Sequence, residues 1–451
     1  MVNLNRFIKP YRDAGASNSV LAPHRFIDDR VFLTKSNHLG VVLTAEGTDD
    51  ECLTDQTLES HTRRAAQAWR TFDERYRIYQ YAVKQDRAPI HAGDAHPSNA
   101  VRRTVSDRNG HLRSKTPGLY TLQLVYVLLF EPTRAKPNEH RRALSAKKVL
   151  RIVTDELERN RTTLIGHAES FARNIGDLLG IRILNKAEAF GFLRLLANLD
   201  PDIASAEQLR HDSHIDFYMA SSPITCGRDG LRVGDAQLEI LSLKEPPHST
   251  FPNVLRDLLA LETNFILCTE FKRVLNDQAI TTIRAAQKHF HWSQWVADIP
   301  SIISMVVNRG NRENVIADKS ALNDVEDLDG TLARINNGGE YLGEFSFTVV
   351  LYGWSGKAPI QAAATDVIKI FGNQEGALIR ETYNALNAYL SIIPGNQAFN
   401  LRRTWLLSGN YADLSFPIRP VWRGKDEPAS SRRTPCHPRN ESSNAVLLQP
   451  A

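Results

Sequence analysis

A glycine–lysine pair raises the question of nucleotide chemistry in this 451-residue chain. A phosphate-binding loop, G-x-x-x-x-G-K-[ST], wraps phosphates with backbone amides, reaches their oxygens with its lysine and holds Mg²⁺ with its hydroxyl. The nearest string is Gly353-Trp-Ser-Gly-Lys357, in which Leu351 replaces the first glycine and Ala358 replaces the hydroxyl residue. We therefore predict a turn after a strand here, and no cofactor-binding residue.

An acid at the end of an apolar strand would be the second element of a nucleotide site. The string Asn264-Phe-Ile-Leu-Cys-Thr-Glu270 has this form loosely. Because no phosphate loop accompanies it, we interpret it as a core strand.

Histidines and acids share the segment from Gln85 to Pro117, which is rich in Arg, Gly and Pro and predicts a long exposed loop. Their spacing repeats no metal-ligand pattern, so solvated side chains are the default interpretation. An enzyme with an unrecognised active site in this loop stays open as an alternative. The residues concerned are His91, Asp94, His96, Asp107 and His111.

Other catalytic signals are equally weak. His289 and His291 are two residues apart, so they point in different directions on a helix. The sequence contains neither H-E-x-x-H nor a G-x-S-x-G elbow. We predict no catalytic residue and no metal ligand in this chain.

Arginine pairs and aromatic residues are the candidates for a binding surface. Each arginine pair stands alone, without an accompanying nucleic-acid motif, so no direct nucleic-acid binding is expected. The aromatic set Phe290, Trp292 and Trp295 favours helix packing, with a partner surface as the alternative. The arginine pairs are Arg63–Arg64, Arg102–Arg103, Arg141–Arg142 and Arg402–Arg403.

Composition indicates a folded, mildly basic protein. Hydrophobic residues make up 42% and charged residues 24%, and the net charge is +4 with interspersed signs. The cysteines Cys52, Cys226, Cys268 and Cys436 lie far apart, which is typical of a reducing compartment. The longest apolar run, 124–130, is too short for a membrane span. These features predict a soluble cytoplasmic protein that is at most peripheral to a membrane.

The hydrophobic pattern predicts an α+β fold. Two strand–helix–strand units indicate ferredoxin-like packing, with a helical insertion between them. The first unit has strands at 238–244 and 265–271 around a helix at 254–261, and the second has a strand at 344–352 and a helix at 359–371. Further predicted strands are 31–33, 39–43, 76–83 and 119–130, and further helices are 57–71, 143–179, 187–199 and 383–393.

We divide the chain into an α+β subdomain over 1–135, a larger domain over 136–425 with its helical insertion at 277–340, and a disordered tail over 426–451. The tail is rich in Ser, Arg, Pro and Asn and lacks periodicity. Pro394-Gly395-Asn396 predicts a turn that ends the preceding helix and begins a surface loop and a polar linker.

Several strings resemble the end of the N-terminal half of the CagE/TrbE/VirB ATPases. They are Ser391-Ile-Ile-Pro-Gly-Asn396, Asn400-Leu-Arg-Arg403, Asn410-Tyr-Ala-Asp-Leu414 and Pro420-Val-Trp-Arg-Gly424. The middle of the chain is similar to the same family, with a glycine turn at 222–235, a strand, and a proline–threonine–aromatic linker at 246–252. The resemblance spans roughly residues 20–425.

The resemblance implies the docking half of an ATPase that powers type IV secretion and conjugal transfer. Family members are cytoplasmic proteins at the inner membrane that dock on channel proteins, form homo-oligomers, usually hexamers, and bind ATP with Mg²⁺ in a motor region. No family catalytic residue maps onto this chain, so we expect it to be inactive alone. A stand-alone adaptor of the transfer apparatus is the alternative.

The tail supplies a hypothesis about the motor. Shifted by one nucleotide, codons allowed for 432–451 spell a segment that resembles the strand the family places before its motor. We therefore hypothesise that this tail is out of frame and that a frameshift separates the chain from a motor region. Downstream DNA that encodes no phosphate loop in the shifted frame would contradict this.

Overall fold

The computed structural model shows one antiparallel sheet with helices on both faces. It describes residues 15–48, 53–86, 98–115, 118–132, 146–210, 213–227, 230–247, 250–252, 254–278, 280–281, 332–335 and 339–415. Most of the predicted insertion at 277–340 and the whole predicted tail at 426–451 lie outside these ranges.

A first α+β unit occupies the N-terminal part of the chain. Its fourth and fifth strands are buried on both sides over most of their length, because helices cover both faces of the sheet. Its elements are β1 (Pro23–Phe26), β2 (Val31–Thr34), β3 (Leu39–Ala45), α1 (Asp55–Trp69), β4 (Tyr76–Gln85), α2 (Asn99–Ser114), β5 (Thr121–Phe130), α3 (Ala146–Leu179) and β6 (Arg182–Ile183).

Two helices connect this unit to a second one. The connecting helices are α4 (Lys186–Asn198) and α5 (Pro201–Ala206). The second unit contains β7 (Ile224–Gly227), β8 (Gly230–Val233), β9 (Ala236–Glu245), α6 (Arg256–Ala260), β10 (Asn264–Arg273), β11 (Leu342–Gly353), α7 (Lys357–Gly372) and β12 (Ala377–Arg380). The described chain ends with α8 (Ala385–Ser391), β13 (Thr404–Leu407) and α9 (Ser408–Asp413).

The two units have the same topology. In the first, the strand order is β6-β3-β5-β4, and in the second it is β12-β9-β11-β10. Each is a β-α-β-β-α-β arrangement in which the third strand lies between the first two, as in ferredoxin-like folds. The ferredoxin-like prediction is confirmed for the second unit, and the structure adds an equivalent unit that the sequence pattern had not revealed.

The units are joined edge to edge by their second strands. β4 pairs antiparallel with β10 from Lys84–Phe265 to Arg77–Lys272, so corresponding positions pair symmetrically about the middle of the joint. We call this joint the seam. The sheet thus runs continuously across the boundary predicted at residue 135, and the division into domains stays a prediction.

The packing has three layers, with the sheet in the middle. One face carries α1, α3, α6, α7 and α9, and the other carries α4, α5 and α8. On the first face Trp69 stacks on Phe171, with ring centroids 4.6 Å apart, and Tyr411 of α9 stacks on Phe271 at 4.3 Å. The last described helix is therefore part of the core of both units.

The predicted loop at 85–117 is wrong over 99–114, where the chain forms α2. Polar residues dominate this segment, which hides the helical spacing of Val101, Val105 and Leu112. Residues 87–97, which include His91, Asp94 and His96, lie outside the described ranges.

A histidine cluster fastens the first edge strand to the connection between the units. The rings of His24 in β1 and His214 stack with centroids 4.2 Å apart. Asp216 is buried and accepts contacts from His24 Nδ1 at 3.3 Å and Lys35 Nζ at 2.8 Å. Burial lowers the pKa of His214, and the positive charges of His24, Arg25 and Lys35 lower it further, against the opposing effect of Asp216.

Acid should destabilise this cluster. Because the folded state lowers the pKa of His214, the stabilisation is present above the ordinary histidine pKa of about 6.5 and is lost as the pH falls below it. We expect the free energy of unfolding, measured with urea, to be lower at about pH 5.5 than at about pH 7.5. His214→Phe keeps a stacking ring and removes the titration, so its drop should be smaller. An equal drop would contradict the assignment.

Candidate functional site

The segment Ser391–Arg403, which we call the clasp, crosses from the end of α8 to the start of β13. It contains the strings that carried the family resemblance. The prediction of a surface loop after α8 is wrong, because Pro394, Gly395 and Asn396 are buried. The predicted linker is wrong as far as residue 413, where β13 and α9 continue the ordered chain.

Gly395 sits where no other residue fits easily. Its φ is +91°, and a Cβ there would lie 2.9 Å from Ala22 Cβ and 3.0 Å from Thr34 Cγ2. Asn396 follows and donates from Nδ2 to the carbonyls of Val20 at 2.9 Å and Leu390 at 3.0 Å. The turn is therefore fitted under the β1–β2 hairpin of the first unit.

The next part of the clasp covers the seam. Asn400 Nδ2 donates to Glu270 Oε2 at 3.1 Å and to Ser346 Oγ at 2.6 Å. Arg403 lies 3.7 Å from Glu270, and Arg77 of the neighbouring strand pairs with the same carboxylate. Glu270 is thus held by both units and by the clasp at once.

Two further charges complete this seam cluster. Glu131 accepts from Arg77 Nε at 2.7 Å and pairs with Lys272. Burial opposes the charge of Arg77, but Glu270 and Glu131 raise its pKa. Burial likewise favours the neutral form of Glu131, yet Arg77 and Lys272 lower its pKa. Both side chains are therefore charged at neutral pH.

The acid-ending strand is a core strand, as predicted. Glu270 lies in the middle of β10, and its oxygens contact Arg77, Asn400 and Arg403. A carboxylate engaged in this way is already neutralised by protein cations. It serves the packing of the seam.

The glycine–lysine string is a turn after a strand, as predicted. Only Trp354, Ser355 and Gly356 lie between β11 and α7, which starts at Lys357. Gly356 takes a φ of +97° to make this turn. A phosphate loop needs a longer wrap of backbone amides than three residues provide.

The remaining predicted positions do not converge. His111 and Asp107 are exposed on α2, while His289, His291 and the aromatic set Phe290, Trp292 and Trp295 lie outside the described residues. Across the described ranges, no three His, Cys, Asp or Glu side chains are grouped as metal ligands. In the same ranges, no helix combines the length and apolar character needed to cross a bilayer.

The arginine pairs differ in their surroundings. Arg63 pairs with Glu59 at 2.7 Å and Arg64 pairs with Asp177 at 2.7 Å, so neighbouring acids offset both charges. Arg402 pairs with Glu381 at 2.6 Å within the clasp region. Arg141–Arg142 lies outside the described residues, and Arg102–Arg103 is exposed on α2.

An exposed apolar patch flanks the Arg402–Glu381 ion pair. Leu401 is 67% exposed and Tyr383 is fully exposed. The backbone at Leu401 is fixed on both sides, because Asn400 is bonded to the seam and also accepts from the amide of Arg402 at 3.1 Å. Leu401 is therefore presented to solvent from a rigid support. We call Tyr383, Leu401 and Arg402 the clasp patch.

Sequence reasoning found the clasp by its family strings but missed the seam cluster. Arg77, Glu131, Glu270 and Asn400 come from four distant parts of the chain, and no local pattern connects them. The signal that could have found them is a charged residue inside an apolar strand, as at Arg77 and Glu270.

Replacing Gly395 should show how tightly the clasp turn fits. Gly395→Ala incurs both positive-φ strain and overlap with the hairpin, so we expect a loss of about 2–5 kcal/mol in unfolding free energy. Gly356→Ala is the matched control, since its φ is also positive and no atom lies within 4 Å of its added Cβ. The control should lose about 1–2 kcal/mol. Equal losses in urea unfolding would refute a close fit at Gly395.

Removing Arg77 should destabilise the seam strongly. Arg77→Met leaves two buried carboxylates short of a partner, with an expected loss of about 3–5 kcal/mol. Arg75→Met removes a half-exposed pair with Asp73 and should lose about 1 kcal/mol or less. Chemical denaturation of both variants measures the difference, and similar small losses would show that the seam cluster contributes little.

Comparison with known proteins gives the fold and the clasp a family context. Residues 30–137, which contain β2 to β5, match the family model of the type IV secretion system ATPase VirB4/TrbE, N-terminal domain. Over 433 residues the chain is 20% identical to the conjugal transfer protein TrbE of Rhizobium radiobacter, covering 92% of this chain and 51% of that protein.

A second relative agrees. Over 193 residues the chain is 22% identical to a probable conjugal transfer protein TrbE of Sinorhizobium fredii (strain NBRC 101917 / NGR234), covering 43% of this chain and 28% of that protein. The chain thus spans about half the length of the first relative and less of the second. It belongs to the VirB4/TrbE family of type IV secretion and conjugal transfer proteins, and it corresponds to their N-terminal region.

Proposed function

We propose that this chain is the docking and assembly region of a conjugal-transfer ATPase. It would attach a motor region to inner-membrane channel proteins of a type IV secretion system, on the cytoplasmic side of the membrane. The family couples ATP binding and hydrolysis to transfer, and this chain would contribute binding surfaces and no hydrolytic group.

The observation that carries the proposal is the use of both nucleotide-site look-alikes as structural parts. Glu270 is enclosed by the seam cluster, and Lys357 begins a helix after a three-residue turn. ATP and Mg²⁺ would bind in the motor region that the family resemblance implies. Homo-oligomer formation is proposed for the assembled ATPase and not for this region alone.

The clasp patch is the proposed docking surface. Rigid presentation of Leu401 and Tyr383 lowers the entropy lost on binding, because the backbone is already ordered. Tyr and Arg are also favoured as anchors in protein interfaces. A channel protein with an apolar segment that seats against Leu401 and Tyr383 would be the partner.

Assays on the purified chain test the absence of hydrolysis. We expect neither Mg²⁺-dependent ATP turnover nor saturable binding of a fluorescent ATP analogue. Mg²⁺-dependent turnover that follows the protein through successive purification steps would overturn the proposal and favour an enzyme with its own site.

Co-purification tests the docking surface. The chain is co-expressed with the channel proteins of its own transfer system, and the membrane complex is solubilised and captured through a tag on the channel. Tyr383→Asp with Leu401→Asp should lower the recovered chain by about tenfold or more, as expected for interface anchors. The matched control is Phe251→Asp, because Phe251 is 45% exposed away from the clasp. Equal loss in both variants would contradict docking through the clasp patch.

A further inference from the structure

The helix α2 (Asn99–Ser114) stands apart from the packed layers of the fold. It lies in the connection between β4 and β5, and within it Asn109 is the buried residue. Val101 is 38% exposed, and Val105 and Leu112 are half-buried. A helix so weakly packed gains little from the core, so its sequence is free to serve a surface role.

Its residues are arranged in two separate zones around the helix axis. A helix advances about 100° per residue, so Val105 and Leu112 lie within about 40° of Val101 and form one apolar stripe. Basic residues border this stripe on both sides, Arg108 and Lys115 on one and Arg102 and Arg113 on the other. All four are exposed.

The acidic residue of this helix lies away from the stripe. Asp107 falls at about 240° from Val101 and therefore faces the opposite side. Within the described residues, no carboxylate forms an ion pair with Arg102, Arg108 or Arg113. Their charge is thus available, unlike that of Arg63 and Arg64, which neighbouring acids offset.

We propose that α2 lies along an anionic lipid surface, with its apolar stripe in the interface and its four bordering cations among the headgroups. A narrow apolar stripe flanked by long basic side chains is the arrangement of interfacial helices, since the aliphatic stems extend over apolar surface while the charged ends reach phosphate. Nucleic acid is favoured less, because it offers no place for a valine and leucine stripe between two basic rows. The inference rests on the proposed position at the inner membrane and names the element that contacts lipid.

Vesicle binding by the purified chain tests the proposal. We expect co-sedimentation with phosphatidylcholine vesicles that contain about 30% phosphatidylglycerol, none with phosphatidylcholine alone, and loss of binding at high salt. Arg102→Gln, Arg108→Gln and Arg113→Gln together should weaken binding about a hundredfold, from about tenfold per basic residue reduced by partial overlap of their contributions. Val101→Asp with Leu112→Asp should also abolish it.

The control is Arg103→Gln, which removes an exposed arginine at about 200° from the stripe and should change binding little. Circular dichroism and thermal unfolding should be unchanged in every variant, since α2 packs so little against the sheet. Failure of the wild-type chain to bind anionic vesicles overturns the proposal, and so does a triple variant that binds them normally. Loss of single-stranded DNA binding in a triple variant that keeps vesicle binding would assign the helix to nucleic acid instead.

This experiment is independent of channel docking. A triple variant that loses vesicle binding but still co-purifies with the channel proteins would separate lipid contact from docking. A chain that binds vesicles normally but fails to co-purify would contradict the docking proposal alone.

Discussion

The buried charges at the seam impose the central constraint on this structure. Two ferredoxin-like units meet strand to strand, and at their joint Arg77 of one unit faces Glu270 of the other. Buried ions are tolerated when opposite charges and hydrogen bonds compensate the lost hydration. Glu131, Lys272, Asn400 and Arg403 supply that compensation. The joint is therefore specific to one register, because a shift would separate the charges.

The clasp makes the seam an assembly of three segments. It contacts the hairpin of the first unit through Gly395 and Asn396, and it contacts the second unit through Asn400. β13 and α9 then return the chain to the opposite face, where Tyr411 packs on Phe271 and Trp69. A rigid platform follows from this, since neither unit can move without breaking contacts to the clasp.

Such a platform suits binding better than catalysis. The acid that most resembles a catalytic carboxylate is bound by protein cations, and the lysine that most resembles a phosphate ligand begins a helix after a short turn. The exposed features are instead an apolar patch on a rigid support and an isolated basic helix. These two surfaces, on separate elements, support protein docking and membrane contact respectively.

The sequence by itself determined the strands, most of the helices and the family. Apolar runs such as Leu124–Phe130 and helical periodicity in 146–179 depend on neighbours along the chain, so local patterns identify them. The motif at 391–403 marked the family for the same reason. The polar helix α2 escaped because its stripe has only three apolar residues.

Only the tertiary structure decided what these elements do. The repeat of the two units became visible in strand order, because their sequences have diverged while their topology has not. The turn at Gly395 became buried because a hairpin more than 350 residues away in sequence packs over it, and the charges of Arg77 and Glu270 became partners because β4 and β10 are adjacent. These relations depend on contacts between distant segments, which composition and periodicity do not encode.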